Sequence, residues 1–220
     1  MIFINFKTYK QGTGMDAILL EKILEVTSFS AGVKIIPVVQ AADVKEVVQN
    51  TKLEVWTQHV DSVEYGAHTG YIIPEAVSQD GARGTFLNHS EHKFPNFQEL
   101  SRAVQRAKQV GLQTLIFASD LKELESIIIL NPDFVAYEPP ELVGSKTASV
   151  ATEKPEIIFQ AAEIAKRGGK KLIVGAGIKS KEDIKRSLEL GAYGFAVASD
   201  IVTAEDPRAE LLDLIEGYKK

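Results

Sequence analysis

A chain of 220 residues with 45% hydrophobic and 25% charged side chains has the make-up of a soluble α/β-sized globule with a sizeable core. Its net charge of -5 argues against nucleic acid and against anionic membrane surfaces as partners. The absence of cysteine excludes disulfides, thiolate chemistry and Cys-based zinc sites. No apolar run approaches the ~18 residues of a membrane span, and MIFINFKTYK lacks the layout of a signal peptide, so a cytoplasmic location is expected.

Short β-rich runs alternate with amphipathic helical segments along the chain. Strands are predicted near residues 3–6, 34–39, 54–58, 84–88, 113–118, 134–137, 171–175 and 194–198. Most are apolar at consecutive positions, the pattern of a parallel sheet buried on both faces. Between them, Leu20, Ile23, Leu24 and Thr27 fall at helical spacing, as do Phe97, Leu100, Val104 and Ala107. Asn96 with Glu99 forms the pattern of a capping box, and Ser180 stands as an N-cap ahead of Ile184 and Leu188. Gly168 and Gly169 stop a helix before the seventh strand, and Asp206-Pro207 starts the last one.

Eight strand–helix units predict a compact single-domain (β/α)8 barrel over residues 1–220, close to the ~200-residue minimum for that fold. Strand counting alone leaves an open doubly wound sheet as the rival. The third unit departs from the pattern. Residues 61–80 contain YGAHTGYIIPEA, a long connection with only a short helix near 74–78, and long ordered loops are usually functional or touch a partner.

In a parallel barrel the active site lies at the C-terminal ends of the strands. The first strand ends in Asn5-Phe6-Lys7, where a spacing of two puts Asn5 and Lys7 on one face of an extended segment. The fourth ends in Asn88-His89-Ser90-Glu91, and the sixth ends in Glu138. Glu138 opens onto Pro139-Pro140 and a stretch closing at Gly144, the layout of a lone general base beside a stiff-hinged lid. Gly175-Ala176-Gly177 follows the seventh strand and Ala198-Ser199 the eighth, where backbone N–H groups form a nest suited to phosphate. Lys7 supplies positive charge, His89 a hydrogen bond to a carbonyl oxygen, and Glu138 a base for a carbon-bound proton. Together these parts suit enolisation of a small phosphorylated carbonyl compound. Taken singly, each also has a plain role as surface lysine, capping histidine or turn.

The segments NFKTY (5–9), GAHTG (66–70), NHSEHK (88–93), AYEPPELVG (136–144) and GAGI (175–178) resemble those of the triosephosphate isomerase family, in the family's order across the whole chain. The short length, GAGI and Ala198-Ser199 resemble its archaeal branch. The resemblance implies the TIM-barrel fold and interconversion of dihydroxyacetone phosphate and D-glyceraldehyde 3-phosphate, without metal or organic cofactor. It implies Lys7 as electrostatic anchor with Asn5 beside it, His89 as electrophile, Glu138 as base and Glu91 as the supporting acid after the histidine. Val143 matches the lid, and Gly144, Gly177, Ala198 and Ser199 the phosphate-binding backbone. Thr69 matches the residue that reaches a neighbouring subunit's site, so a homo-oligomer, dimer or tetramer, is expected. In the mechanism known for the family, the glutamate moves the proton, a neutral histidine polarises the carbonyl and a closing loop excludes water. After Gly144 the chain reads Ser-Lys-Thr-Ala-Ser where many relatives keep Thr-Gly, which implies a stiffer hinge. Thr8, Ser119 and Asp120 stand where many relatives carry cysteines. The competing readings are an aldolase or epimerase on a similar barrel, and a phosphate-binding scaffold without activity.

Overall fold

The computed structural model describes residues 1–138, 155–175 and 177–219. Eight parallel strands close on themselves: β1 (Ile2–Asn5), β2 (Ile35–Val39), β3 (Trp56–Thr57), β4 (Gly84–Leu87), β5 (Gln113–Ala118), β6 (Phe134–Tyr137), β7 (Lys171–Val174) and β8 (Gly194–Val197). β1 pairs with both β2 and β8, which completes the barrel and rules out the open sheet. The helices in chain order are α1 (Met15–Ala31), α2 (Val44–Asn50), α3 (Pro74–Gln79), α4 (Phe97–Gln109), α5 (Leu121–Ile128), α6 (Pro155–Arg167), α7 (Lys181–Glu189), α8 (Ser199–Val202) and α9 (Pro207–Glu216). Several are short, and this is how eight units fit the chain. Among the described residues, no helix is long and apolar enough to cross a membrane.

Strand alternation sorts the apolar residues into two clusters. Ile4, Ile35, Ile116, Val135, Leu172 and Phe195 face outward and pack under the helices. Phe3, Val38, Trp56, Phe86, Phe117, Phe134 and Ile173 face inward and fill the barrel. Phe3 meets Trp56 and Phe86 edge-on at 5.0 and 5.6 Å between ring centres, the orientation that aligns positive ring edges with negative faces. Gly84 makes room for this plug: a Cβ there would overlap the Trp56 indole. Each fully buried large side chain contributes roughly 1.5–3 kcal/mol.

The expected helix ends are present. Asn96 Oδ1 accepts from the Glu99 N–H at 2.9 Å, while the Glu99 carboxylate turns to Ser62 and Arg102 instead of closing a full capping box. Ser180 and Asp183 do form a complete box. Asp206 caps α9 with Pro207 at its first position. The helical spacing of Phe97, Leu100, Val104 and Ala107 is met in α4, where the last three are buried and Phe97 is exposed. Phe97 is the first residue of α4.

Candidate active site

The inward alternation that builds the plug continues past the strand ends. Above Phe3 comes Asn5, above Ala136 comes Glu138, above Ile173 comes Gly175 and above Ala196 comes Ala198. These residues, with Lys7, His89, Gly177 and Ser199, line one cleft whose floor is Phe86 and Phe117. The cleft therefore brings together Asn5, Lys7, His89, Glu138, Gly177, Ala198 and Ser199. Val143 and Gly144 lie outside the described residues.

Lys7 reaches the cleft by a route that the two-residue spacing does not describe. β1 ends at Asn5, and Lys7 takes φ 46°, a left-handed conformation that costs a non-glycine residue about 1–3 kcal/mol. Two side chains hold it there. Asn5 Oδ1 accepts from the Lys7 N–H at 3.0 Å, and Gln58 Nε2 donates to the Lys7 carbonyl at 2.9 Å. Lys7 Nζ then bonds Glu91 Oε1 at 2.7 Å. Gln58 was not marked by the sequence, since a glutamine after a short strand carries no chemical signature.

His89 stands on a turn built by Asn88, itself left-handed at φ 60°. Asn88 Nδ2 donates to the Phe117 carbonyl and to Glu123 Oε1, at 3.0 and 2.9 Å. Burial raises the Glu123 carboxyl, but bonds from Lys93, Ser119 and Asn88 outweigh this and hold it below the usual carboxylate range. An ionised, fully bonded Glu123 thus anchors the turn. The Glu91 N–H donates to His89 Nδ1 at 3.2 Å, so Nδ1 is the acceptor and the ring proton sits on Nε2. Phe117 packs edge-on against the imidazole at 4.8 Å and excludes water from one face.

Glu138 is only 4% exposed. Its Oε1 lies 3.4 Å from His89 Nε2, and its Oε2 accepts from the Ser90 hydroxyl at 2.6 Å. Ser90 is a second residue the sequence did not single out, although its place between His89 and Glu91 offered a hint. Gly175 sits against the same carboxylate: a Cβ there would approach Glu138 Cβ at 3.4 Å. Gly177 has φ 68°, which glycine adopts freely and which turns the chain after β7 toward the cleft.

Two expected residues lie at the edge or away. Glu91 bridges Lys7 and the His89 turn from the side facing Gln40, Gln58 and His59. Thr69 is exposed on the long third loop, outside the cleft of its own chain. Asp61 ties the base of that loop, accepting from the Ile72 N–H at 2.7 Å and donating its own N–H to the Ile72 carbonyl at 2.8 Å. Among the described residues, no cluster of three or more His, Asp or Glu side chains is placed to hold a metal ion.

Comparison with known proteins agrees with this constellation. A sequence model described as triosephosphate isomerase matches residues 1–218. The chain is 38% identical over 217 residues to a protein of Methanobacterium bryantii named triosephosphate isomerase, covering 98% of this chain and 95% of that one. A protein of the same name from Sulfurisphaera tokodaii is 39% identical over 216 residues, with 98% and 93% covered. One from Methanocaldococcus jannaschii is 34% identical over 218 residues, with 98% and 99% covered. A match that runs almost from end to end, on a closed eight-stranded barrel with lysine, histidine and glutamate facing one cleft, leaves a single assignment: this chain belongs to the triosephosphate isomerase family.

Proposed function

We propose that this chain interconverts dihydroxyacetone phosphate and D-glyceraldehyde 3-phosphate, with Glu138 as the base. The observation that carries this reading is a buried carboxylate 3.4 Å from a histidine Nε2 whose Nδ1 is occupied by the Glu91 N–H. Glu138 takes a proton from C1 of the ketose as the C2 carbonyl becomes an enediolate. The His89 Nε2–H donates to the oxygens on C1 and C2 and passes the hydroxyl proton from O1 to O2, and Glu138 returns the carbon proton to C2 to give the aldehyde. Lys7 stabilises the negative charge that develops on oxygen. Backbone N–H groups near Gly177, Ala198 and Ser199 hold the phosphate. Ser90 holds Glu138 until substrate enters, and release of that bond frees Oε2 for the carbon. Val143 and Gly144 complete the substrate-binding set that the family's pattern implies.

The aldolase alternative needs a neutral, nucleophilic lysine. Lys7 Nζ lies 2.7 Å from Glu91 Oε1, a geometry that suits charge pairing rather than nucleophilic attack. A coupled assay supplying glyceraldehyde 3-phosphate tests the reaction: ketose phosphate formation is expected, and no turnover by folded protein overturns it.

The chain acts in the cytoplasm as a homo-oligomer, dimer or tetramer, and needs no cofactor. Support for assembly comes from the third loop, where Tyr65 and Tyr71 are 67% and 56% exposed beside Thr69. Two exposed aromatics on one loop are suited to burial against a second copy. Light scattering is expected to give at least a dimer, and a stable, active monomer would refute it.

A further inference from the structure

Among the described residues, the cleft holds two lysines in different states. Lys7 Nζ is paired with Glu91. Lys179 follows β7, two residues beyond Gly177, and lines the same cleft as Gly177, Ala198 and Ser199. Its Nζ is shielded from solvent and makes no hydrogen bond among the described residues. The backbone that carries it is pinned. The N–H groups of Lys179 and Ser180 both donate to Asp183 Oδ2, at 3.1 and 3.2 Å, and Asp183 closes the box that starts α7. Ile178, just before it, is buried at 3% exposure. The ammonium therefore projects from a fixed point.

Asp200 of α8 also lines the cleft. Burial raises its carboxyl and the Lys179 charge draws it down, so the two groups feel each other without forming an ion pair. A shielded ammonium with no partner is destabilising, and a counter-charge from a ligand relieves it. The backbone N–H groups around it offer only partial charges.

We propose that Lys179 is a phosphate-binding residue, whose ammonium pairs with the substrate's phosphate dianion from the β7 side and sets the preference for phosphorylated over unphosphorylated triose. This rests on the isomerase reading and adds to it a second full positive charge, two strands round the barrel from Lys7. Asp200 works against it: its carboxylate weakens the hold on phosphate and eases product release.

The test compares the wild type with Lys179→Met, Lys179→Arg and Asp200→Asn. Lys179→Met is expected to lose about tenfold or more in kcat/KM on glyceraldehyde 3-phosphate, mostly in KM. Inhibition by inorganic phosphate should weaken in parallel, while kcat/KM on phosphate-free glyceraldehyde changes less than about twofold. Lys179→Arg should recover most of the loss, and Asp200→Asn should tighten phosphate. Equal losses on both substrates would make Lys179 structural, and unchanged phosphate inhibition would overturn the proposal. If the wild type fails to turn over the phosphorylated triose, the isomerase reading falls separately. Phosphate titration of wild type and Lys179→Met, followed by thermal shift, then still decides whether Lys179 holds phosphate: equal shifts would refute it.

Discussion

The floor and the rim of this barrel are one residue pair apart on the same strands, yet they obey different rules. On the floor, Phe3, Trp56, Phe86, Phe117 and Phe134 meet edge to face, and the polar atom of the Trp56 indole is satisfied by Glu54. At the rim, the next inward positions are Asn5, Glu138 and Gly175, and two neighbouring residues, Lys7 and Asn88, adopt left-handed backbone. The floor is stabilised by area removed from water. The rim is held by specific bonds from Gln58, Ser90 and Glu123, which offset strain and the burial of charge. Stability and function therefore share one alternation and separate only at its last step.

The sharpest break of this comparison is Glu138→Gln. It should lower kcat by about 10²–10⁴-fold, read in the coupled assay, with little change in the melting temperature. A large melting loss with modest kinetic loss would place Glu138 on the floor. Gly84→Ala is the converse. Pushing a methyl group into the Trp56 indole should cost ~1–3 kcal/mol in denaturant unfolding while the folded fraction keeps its kcat. If kcat collapsed instead, the plug would be part of the catalytic machinery.

Gln58→Ala sharpens the account of the strained rim. Loss of the bond to the Lys7 carbonyl should cost ~1 kcal/mol of stability and raise KM several-fold, because Lys7 loses its fixed geometry. Unchanged KM would show that Asn5 alone positions Lys7.

The smallest effect lies far from both regions. Glu21 on α1 is fully buried, its carboxylate oxygens make no hydrogen bond of normal geometry, Lys22 Nζ lies 4.0 Å from Oε2, and burial raises its carboxyl above the usual 4.5 against the pull of Thr51 and Lys22. The folded state thus binds its proton more tightly than the unfolded state, so this group adds stability as pH falls from above its folded value toward 4.5. Glu21→Met should raise the melting temperature by about 2–4 °C at pH 7, a gain of ~1 kcal/mol that shrinks on acidification. A gain independent of pH would show that packing, not the charge, was the cost.

Much of the architecture is legible without coordinates. Consecutive apolar residues mark all eight strands to within two residues at each end, with β3 the least exact. There the run read over residues 54–58 narrows to Trp56–Thr57, as Glu54 turns to accept from the Trp56 Nε1 at 2.8 Å. Lys7, His89 and Glu138 stand out because each is a polar residue at the end of an apolar run. Phe97 falls at helical spacing and lies in α4, yet it is exposed, because spacing records which residues share a face and not which of them are covered.

Local periodicity and the residue types at strand ends were thus determined by the sequence itself, since they depend on neighbours two to four positions away. The partners of those residues were decided only by closure of the barrel. Ser90 meets Glu138 across 48 residues of chain, and Gln58 meets Lys7 across 51. The isolation of Lys179 is of the same kind. A lysine after a strand reads as solvated until the strands on either side close round it, because burial and the lack of a hydrogen-bond partner among the described residues are properties of the enclosing surface and of no single segment.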